Sequence, residues 1–429
     1  MQIPKSVFVV LYLMVFLALV FYPATGTNQH HGKVELVYWH GWTGFEEAMI
    51  QKLVDRFNRE HPNIHVKAVS VTGSYQKVRL VFASGSGPDA LAACWSDEMA
   101  SYAARGVLEP LDSYMKATKW DESDLMPGFR NYLRYNGHYY GITHGANSIF
   151  VAYNKKTFRE CGITKLPETL DQFEEVMAKT TKRRADGSYI RYGMRPSNLV
   201  FWAYVFGGKW YDEKTGKITA NNPKNVEALR WLVKMSKKYD INKMEAFEQT
   251  FGNSMSGNNA FFSGKQTMTF IGEWVDQFAH EYAPNMEWGF FPAPAPPGGR
   301  RGAVTIGGSV WAVPSAGKHK KEAWEFIEWM CSPQAEREFS ADGGSLSCHY
   351  SNIGNPAFTR LPVQSFGMRL ISSPTSVFGP PPIPTWIQYQ AAILNAEDYA
   401  VHGNEDPEKL LDNLTVTMQK DLDRTRKGH

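Results

Sequence analysis

A chain of 429 residues has room for two or three lobes, each with a sizeable core. With 43% hydrophobic and 21% charged residues it falls outside the disordered and fibrous classes, and its 46 basic and 43 acidic side chains are spread along the chain without the basic stripe of a nucleic-acid surface. The outlier is the aromatic content of 14%, with 13 Trp and 20 Tyr, flat side chains that fill cores and also stack on the rings of sugars or bases.

The N-terminus carries an export pattern. Lys5 precedes an unbroken apolar run over 7–22, and Pro23-Ala24-Thr25-Gly26 follows, so residues 1–26 read as a cleaved signal peptide, with a retained anchor as the alternative. The run is a little shorter than the ~20 apolar residues of a spanning helix, and no later stretch is apolar enough to cross a bilayer. The mature chain is therefore expected in the periplasm or on the extracytoplasmic face. Cys94, Cys161, Cys331 and Cys348 lack the C-x-x-C spacing of a zinc cluster. In an oxidising compartment Cys331 and Cys348 either pair or stay as buried thiols like the other two.

A βαβ unit comes next. Residues 34–40 read as a strand buried on both faces. Thr43 and Glu46 have capping-box spacing, and Phe45, Met49, Leu53 and Phe57 mark one face of a helix that Pro62 stops. The next strand, 65–71, should pair in parallel with the first through a right-handed crossover. A helix from Tyr75, a turn at Gly85-Ser86-Gly87-Pro88, a strand over 89–94 and a helix near Ser96 follow. Ligands of open parallel sheets bind beyond the carboxyl ends of strands, which makes Trp39-His40-Gly41-Trp42-Thr43 and Trp95-Ser96-Asp97 the first candidate loops.

Around 139–154 the helical period disappears, and the β-prone run reads as an extended crossing. Helices then dominate: Thr169 with Gln172 caps one, and Pro223 opens another with the stripe Val226, Leu229, Leu232 and Val233. The stretch from Ser263 to Trp274 contains a Gly-Lys pair, but Asn259 and Gln266 stand where a phosphate loop needs glycine and a hydroxyl residue. What remains there is a short strand ending in Gly272-Glu273-Trp274. Residues 288–292 read as a second crossing, 307–314 as a strand entered through glycines, and 322–331 as a helix with Ala323, Trp324, Ile327 and Met330 inward. A Pro-rich stretch over 378–386 leads to closing helices, the last from about Pro407. Neither H-E-x-x-H nor G-x-S-x-G occurs, and Pro62 breaks the helix that would aim His61 and His65 at one metal.

The order and spacing of several motifs resemble the extracellular solute-binding proteins of ATP-binding-cassette (ABC) importers, the large sugar-binding family that includes maltose-binding protein and the glycerol-3-phosphate binders. They are Trp39-His40-Gly41-Trp42, Ser84-Gly85-Ser86-Gly87-Pro88-Asp89, Gly137-His138-Tyr139-Tyr140-Gly141-Ile142 and Tyr153-Asn154-Lys155-Lys156. Phe261-Phe262-Ser263-Gly264-Lys265, Met268, Gly272-Glu273-Trp274, and Gly307-Gly308-Ser309 ahead of Ala323-Trp324-Glu325-Phe326 complete the set. The resemblance covers nearly everything after the signal. It implies an α/β, two-lobed periplasmic-binding-protein fold of type II, each lobe a mainly parallel sheet flanked by helices, joined by hinge crossings. The expected lobes are 33–144 with 293–342, and 145–292 with 343–429.

The resemblance further implies a monomer without cofactor, metal or catalytic residues, which captures a carbohydrate, an oligosaccharide or disaccharide, by hinge closure. Its partners would be the membrane permease subunits and their cytoplasmic ATPase, with no nucleic acid. A sugar site needs flat apolar faces and planar polar groups. On that basis the candidate ligand residues are His40, Trp42, Asp97, Asn147, Asn198, Trp202, Glu273, Trp274, Gly308, Ser309 and Trp386. Trp274 occupies the family's stacking position, and Glu273 departs from the family's common Gly-Pro-Trp. A neutral sugar is the expected cargo. Alternatives are a glycerol-3-phosphate or glycerophosphodiester binder, which would want an arginine or several N–H donors at the phosphate, a sugar sensor, and a glycosidase using Asp97 and Glu273 as its two carboxylates.

Overall fold

In the computed structural model, which describes residues 32–72, 75–83, 86–253, 256–343, 345–373 and 375–427, two five-stranded arrays meet at a pair of chain crossings. The expected signal peptide lies outside the described residues. Among those residues, no helix is long and apolar enough to cross a membrane.

The first sheet grows from β1 (Val34–His40), α1 (Gly44–Glu60), β2 (Ile64–Ser70), α2 (Tyr75–Ala83) and β3 (Ala90–Trp95). β1 pairs in parallel with β2 on one side and β3 on the other, as a right-handed βαβ arrangement requires. Burial along β1 alternates: Leu36, Tyr38 and His40 point inward, whereas Glu35 and Val37 are exposed. The expectation of burial on both faces therefore fails for β1 and holds for β3, whose first five residues are all buried. Thr43 sits at the N-cap of α1 without a side-chain cap bond. The expected capping box does not form, because Glu46 lines a cavity instead of turning back to Thr43.

From β4 (Ile142–Thr143) in the first sheet the chain runs through Gly145 into β5 (Asn147–Asn154), the central strand of the second. There β6 (Met268–Gly272), β7 (Trp288–Phe291) and β8 (Val304–Gly307) all pair antiparallel to β5. β9 (Ser309–Ala312) then returns to the first sheet, antiparallel to β3 and β4. Both sheets are thus mixed, not mainly parallel, because a strand arriving from the other sheet enters from the opposite end. The return crossing is Gly307-Gly308-Ser309. Of residues 288–292, expected to cross, 288–291 form a strand of the second sheet, and the single strand expected over 307–314 is the end of β8 plus β9 with Gly308 between them. At φ +152° Gly308 adopts a backbone conformation that side chains disfavour.

Two large cores follow these sheets. The first gathers Tyr38, Phe57, Trp311, Trp324 and Phe326. The second gathers α3 (Leu199–Phe206), α4 (Pro223–Tyr239) and part of α8 (Trp386–His402) around Trp202, Trp210, Leu229 and Tyr389. A smaller cluster joins Phe150, Phe261, Ile271 and Val275 under α5 (Val275–Tyr282). Leu346, Cys348, Phe358, Met368 and Ile371 pack on the first core although they were expected in the second lobe, and β8, expected in the first, pairs in the second sheet. The four cysteines are free thiols, with Cys94, Cys331 and Cys348 buried.

The first crossing is pinned from behind. On α7 (Pro333–Gly343), the fully buried Glu336 carboxylate accepts from Gly145 N–H at 2.8 Å, the Cys348 thiol at 2.8 Å, Asn352 Nδ2 at 3.2 Å and the Ser347 hydroxyl. His349 Nδ1 lies 3.0 Å from its Oε2. Burial alone would raise the Glu336 pKa; His349, His144 and the Cys348 thiol together outweigh it and hold the carboxyl down to about 2. Burial likewise opposes charge on His349, but Glu336 raises its pKa above the ordinary 6.5. Glu336, Cys348 and His349 have metal-ligand spacing, yet this carboxylate is already saturated with protein donors.

A depressed carboxyl contributes stability above its ordinary 4.5, lost as pH falls toward 2, and a raised imidazole contributes below 6.5, lost as pH rises through its folded pKa. Both contributions are present near pH 5.5. Replacing Glu336 with Ala should cost ~3–5 kcal/mol there, since an unpartnered buried charge remains. Denaturant unfolding near pH 5.5 checks this, and a cost below ~1 kcal/mol would contradict the ion-pair assignment.

Candidate ligand cleft at the crossings

Strand ends from both sheets converge where the chain crosses. After β1, Trp42 leaves the sheet on a loop held by two hydroxyls: Ser70 Oγ donates to Trp42 O at 3.0 Å and Thr72 Oγ1 to Gly41 O at 2.7 Å. The half-buried Trp42 indole rests 5.7 Å from the Trp311 ring. His40 lies behind it, buried between Tyr38 and Trp42. At the end of β3, Trp95 and Asp97 are half-buried, and Ser96 N–H donates to Gly308 O at 3.0 Å, which ties this loop to the return crossing. Burial, then the Glu98 charge, raise the Asp97 pKa.

Opposite stands the end of β6. Gly272 is required there because a Cβ would sit 2.0 Å from the Trp274 ring, which folds back over the strand end. Glu273 is 3% exposed and its Oε2 accepts from Ser148 N–H at 3.0 Å. Burial pushes its carboxyl up to about 8, with a smaller contribution from Glu46. Burial also raises the Glu46 carboxyl, which reaches in from the first turn of α1.

Two adjoining cavities fill the space between. One of about 320 Å3 brings together six predicted residues: Trp42, Asn147, Glu273, Trp274, Gly308 and Ser309. The second, about 340 Å3, holds Asp97 and Trp386 and shares Trp95, Asn147 and Gly308 with the first. Trp386 is nearly buried at the start of α8, and the Ser309 hydroxyl is committed to Ala92 O. No lysine or arginine is among the described residues that line either cavity.

Three predictions fall elsewhere. His40 is the packing support of Trp42. Asn198 caps α3 in a left-handed conformation (φ +79°), its N–H and that of Leu199 donating to Glu397 at 2.9 and 2.6 Å, and it lines a neighbouring cavity of about 590 Å3 with Arg195 and His402, which shares Val200, Thr305 and Gln390 with the second. Trp202 is a core residue, 1% exposed and 4.5 Å from the Trp231 ring, because all eight residues of α3 are buried. Sequence reasoning missed Glu46, His144, Phe278 and Phe339, which line the first cavity, and placed Trp95, which also lines it, on a candidate loop without naming it as a ligand residue. Phe278 was within reach, since it lies one helical turn beyond Trp274. Glu46 has the spacing of a capping residue, which hides its place in the cavity wall, and His144 and Phe339 carry no local signal.

The arrangement offers indole and phenyl faces, amide and carboxyl groups, and little fixed charge, as suits a ring-shaped polyhydroxylated ligand. Because the folded pKa of Glu273 lies above its ordinary 4.5, the fold favours its protonated form, and stability falls as pH rises from 4.5 through about 8. Glu273→Gln should remove that dependence, leaving the variant ~2–4 kcal/mol more stable than the parent at pH 8.5 and within ~1 kcal/mol of it at pH 5. Urea unfolding at the two pH values reads the difference directly; a parallel offset at both would contradict it.

Residues 43–337 match the sequence profile of the bacterial extracellular solute-binding protein family. A maltotriose-binding protein of Pyrococcus abyssi is 24% identical over 77% of this chain and 70% of its own length. An sn-glycerol-3-phosphate-binding periplasmic protein of Yersinia pestis is 23% identical, over 73% of each chain. Among solved structures, mannotriose-bound CpMnBP1 superimposes with a TM-score of 0.78 at 26% identity, covering 90% of this chain and 99% of that one.

Proposed function

Since this chain belongs to the bacterial extracellular solute-binding protein family, we propose that it captures a carbohydrate between its two sheets and delivers it to the permease of an ABC importer. The observation that carries this reading is the first cavity: Trp42 and Trp274 bring indole faces from opposite sheets, Glu273 and Asn147 bring hydrogen-bonding groups, and the described lining holds no lysine or arginine. The lobes exchange chain at Gly145-Ala146 and at Gly308, and these crossings are the hinges. Capture involves no bond chemistry; the membrane subunits and their ATPase supply the energy of import. The protein acts as a monomer outside the cytoplasmic membrane.

A phosphorylated glycerol ligand is the second reading, motivated by the Yersinia relative. It calls for a guanidinium or several N–H donors at the phosphate. Arg195 is engaged by Glu245 at 2.6 Å and Glu248 at 3.1 Å in the neighbouring cavity, and Arg300, beside the Phe378 ring of the second cavity, donates to Tyr204 O and Gly208 O, which favours the uncharged ligand.

A thermal-shift comparison of the chain without residues 1–26 against mannotriose, maltotriose and sn-glycerol 3-phosphate separates the readings. A trisaccharide at ~100 times its Kd adds ~2.7 kcal/mol of stability, a rise of several degrees in Tm. The sugar should be recovered unchanged; its consumption would point to a glycosidase, and a shift with the phosphate alone would replace the carbohydrate reading. Trp274→Ala should weaken sugar binding ~10-fold or more, the effect of ~1.4 kcal/mol lost from stacking, and an unchanged titration isotherm would remove Trp274 from the site.

A further inference from the structure

Resting on the reading just given, we infer that Glu46 and Glu273 form a proton-sharing clamp on the ligand: one carboxyl donates a hydrogen bond to a ligand hydroxyl, the other accepts one, and the loaded cleft retains the shared proton. Glu46 comes from the first turn of α1, beside the first sheet, and Glu273 from the end of β6 in the second. The two carboxyls therefore face one cavity from opposite walls, and Glu46 already acts electrostatically on Glu273. Two carboxylates cannot be held close in a desolvated space without a cation, and among the described lining residues there is no lysine or arginine to serve.

The other titratable groups around the pair do not supply that charge. His144 faces the same cavity, but burial lowers its pKa, and its Nδ1 is bonded to Met330 O, with Glu336 and His349 on its far side. Asp97 lines the adjoining cavity and adds only negative charge when ionised. Glu273 is already inclined to hold a proton, since burial is the leading cause of its raised pKa and Glu46 adds to it. Ser148 N–H fills one side of its Oε2 and leaves the carboxyl capacity to donate. When the open cleft has lost that proton at high pH, ligand capture must take one from solvent. Carboxyl oxygens then serve sugar hydroxyls both as donor and as acceptor, which an ionised pair could not do.

The test is calorimetry between pH 6 and 9.5, using whichever of mannotriose and maltotriose raises Tm more, in phosphate and in Tris at matched pH. Expected are uptake of about one proton per ligand at pH 9 and little at pH 6, with affinity falling about tenfold per pH unit above the Glu273 pKa. Glu273→Gln and Glu46→Gln should each flatten that slope and abolish the uptake, whereas Glu47→Gln should retain both. Wild-type binding without proton uptake at pH 9, or a slope that survives in both Gln variants, overturns the clamp while the carbohydrate reading stands. If neither trisaccharide binds the wild type at any pH, the carbohydrate reading falls and the clamp falls with it.

Discussion

Everything that concerns ligand capture depends on two extended segments crossing side by side. Gly307 pairs with Asn147 in the second sheet, and three residues later Val310 pairs with Thr143 in the first. This short ladder is the joint between the sheets and also the wall on which both cavities lean, through Asn147 and Gly308. Its position is set from outside by Ala146 N–H donating to Leu346 O at 2.8 Å and by the Glu336 carboxylate on Gly145. A joint held by backbone bonds and one buried ion pair can bend without dismantling either core, because the cores lie on either side of it.

Charge is handled in opposite ways at the two faces of that joint. Behind it, Glu336 is ionised and saturated by hydrogen-bond donors and His349, the arrangement that makes a buried carboxylate tolerable. In front, Glu273 accepts from the Ser148 backbone and meets no cation among the described lining residues, so burial drives it toward the neutral acid. The first carboxyl is a fastener. The second is incompletely satisfied, as a group must be if its remaining partner is a ligand.

The aromatic excess divides along the same lines. Trp202, Trp210, Trp311 and Trp324 are fully buried and carry the cores. Trp42, Trp95, Trp274 and Trp386 line the cleft. Composition alone could not sort them, since an indole offers the same apolar area to a core or to a sugar ring. Trp42 and Trp311 show how closely the two sets are coupled: the cleft residue rests against the core residue at 5.7 Å, so this wall of the cleft is backed by packed protein.

By itself the sequence determined what depends on neighbours along the chain: the βαβ start, the capping box of Thr169 and Gln172, the extended run into β5, and the Gly-Glu-Trp end of β6. It also carried enough ordered motifs to identify the family and six residues of the main cavity. Tertiary structure alone decided which strands pair across the crossings, and so moved the return crossing from 288–292 to Gly308. It turned Glu46 from a helix cap into a cavity wall, placed Trp202 in the core, and brought His144 and Phe339 to the cleft. The physical reason is one of range. Periodicity, caps and glycine turns are local properties, whereas burial and desolvation depend on what the rest of the chain packs around a residue.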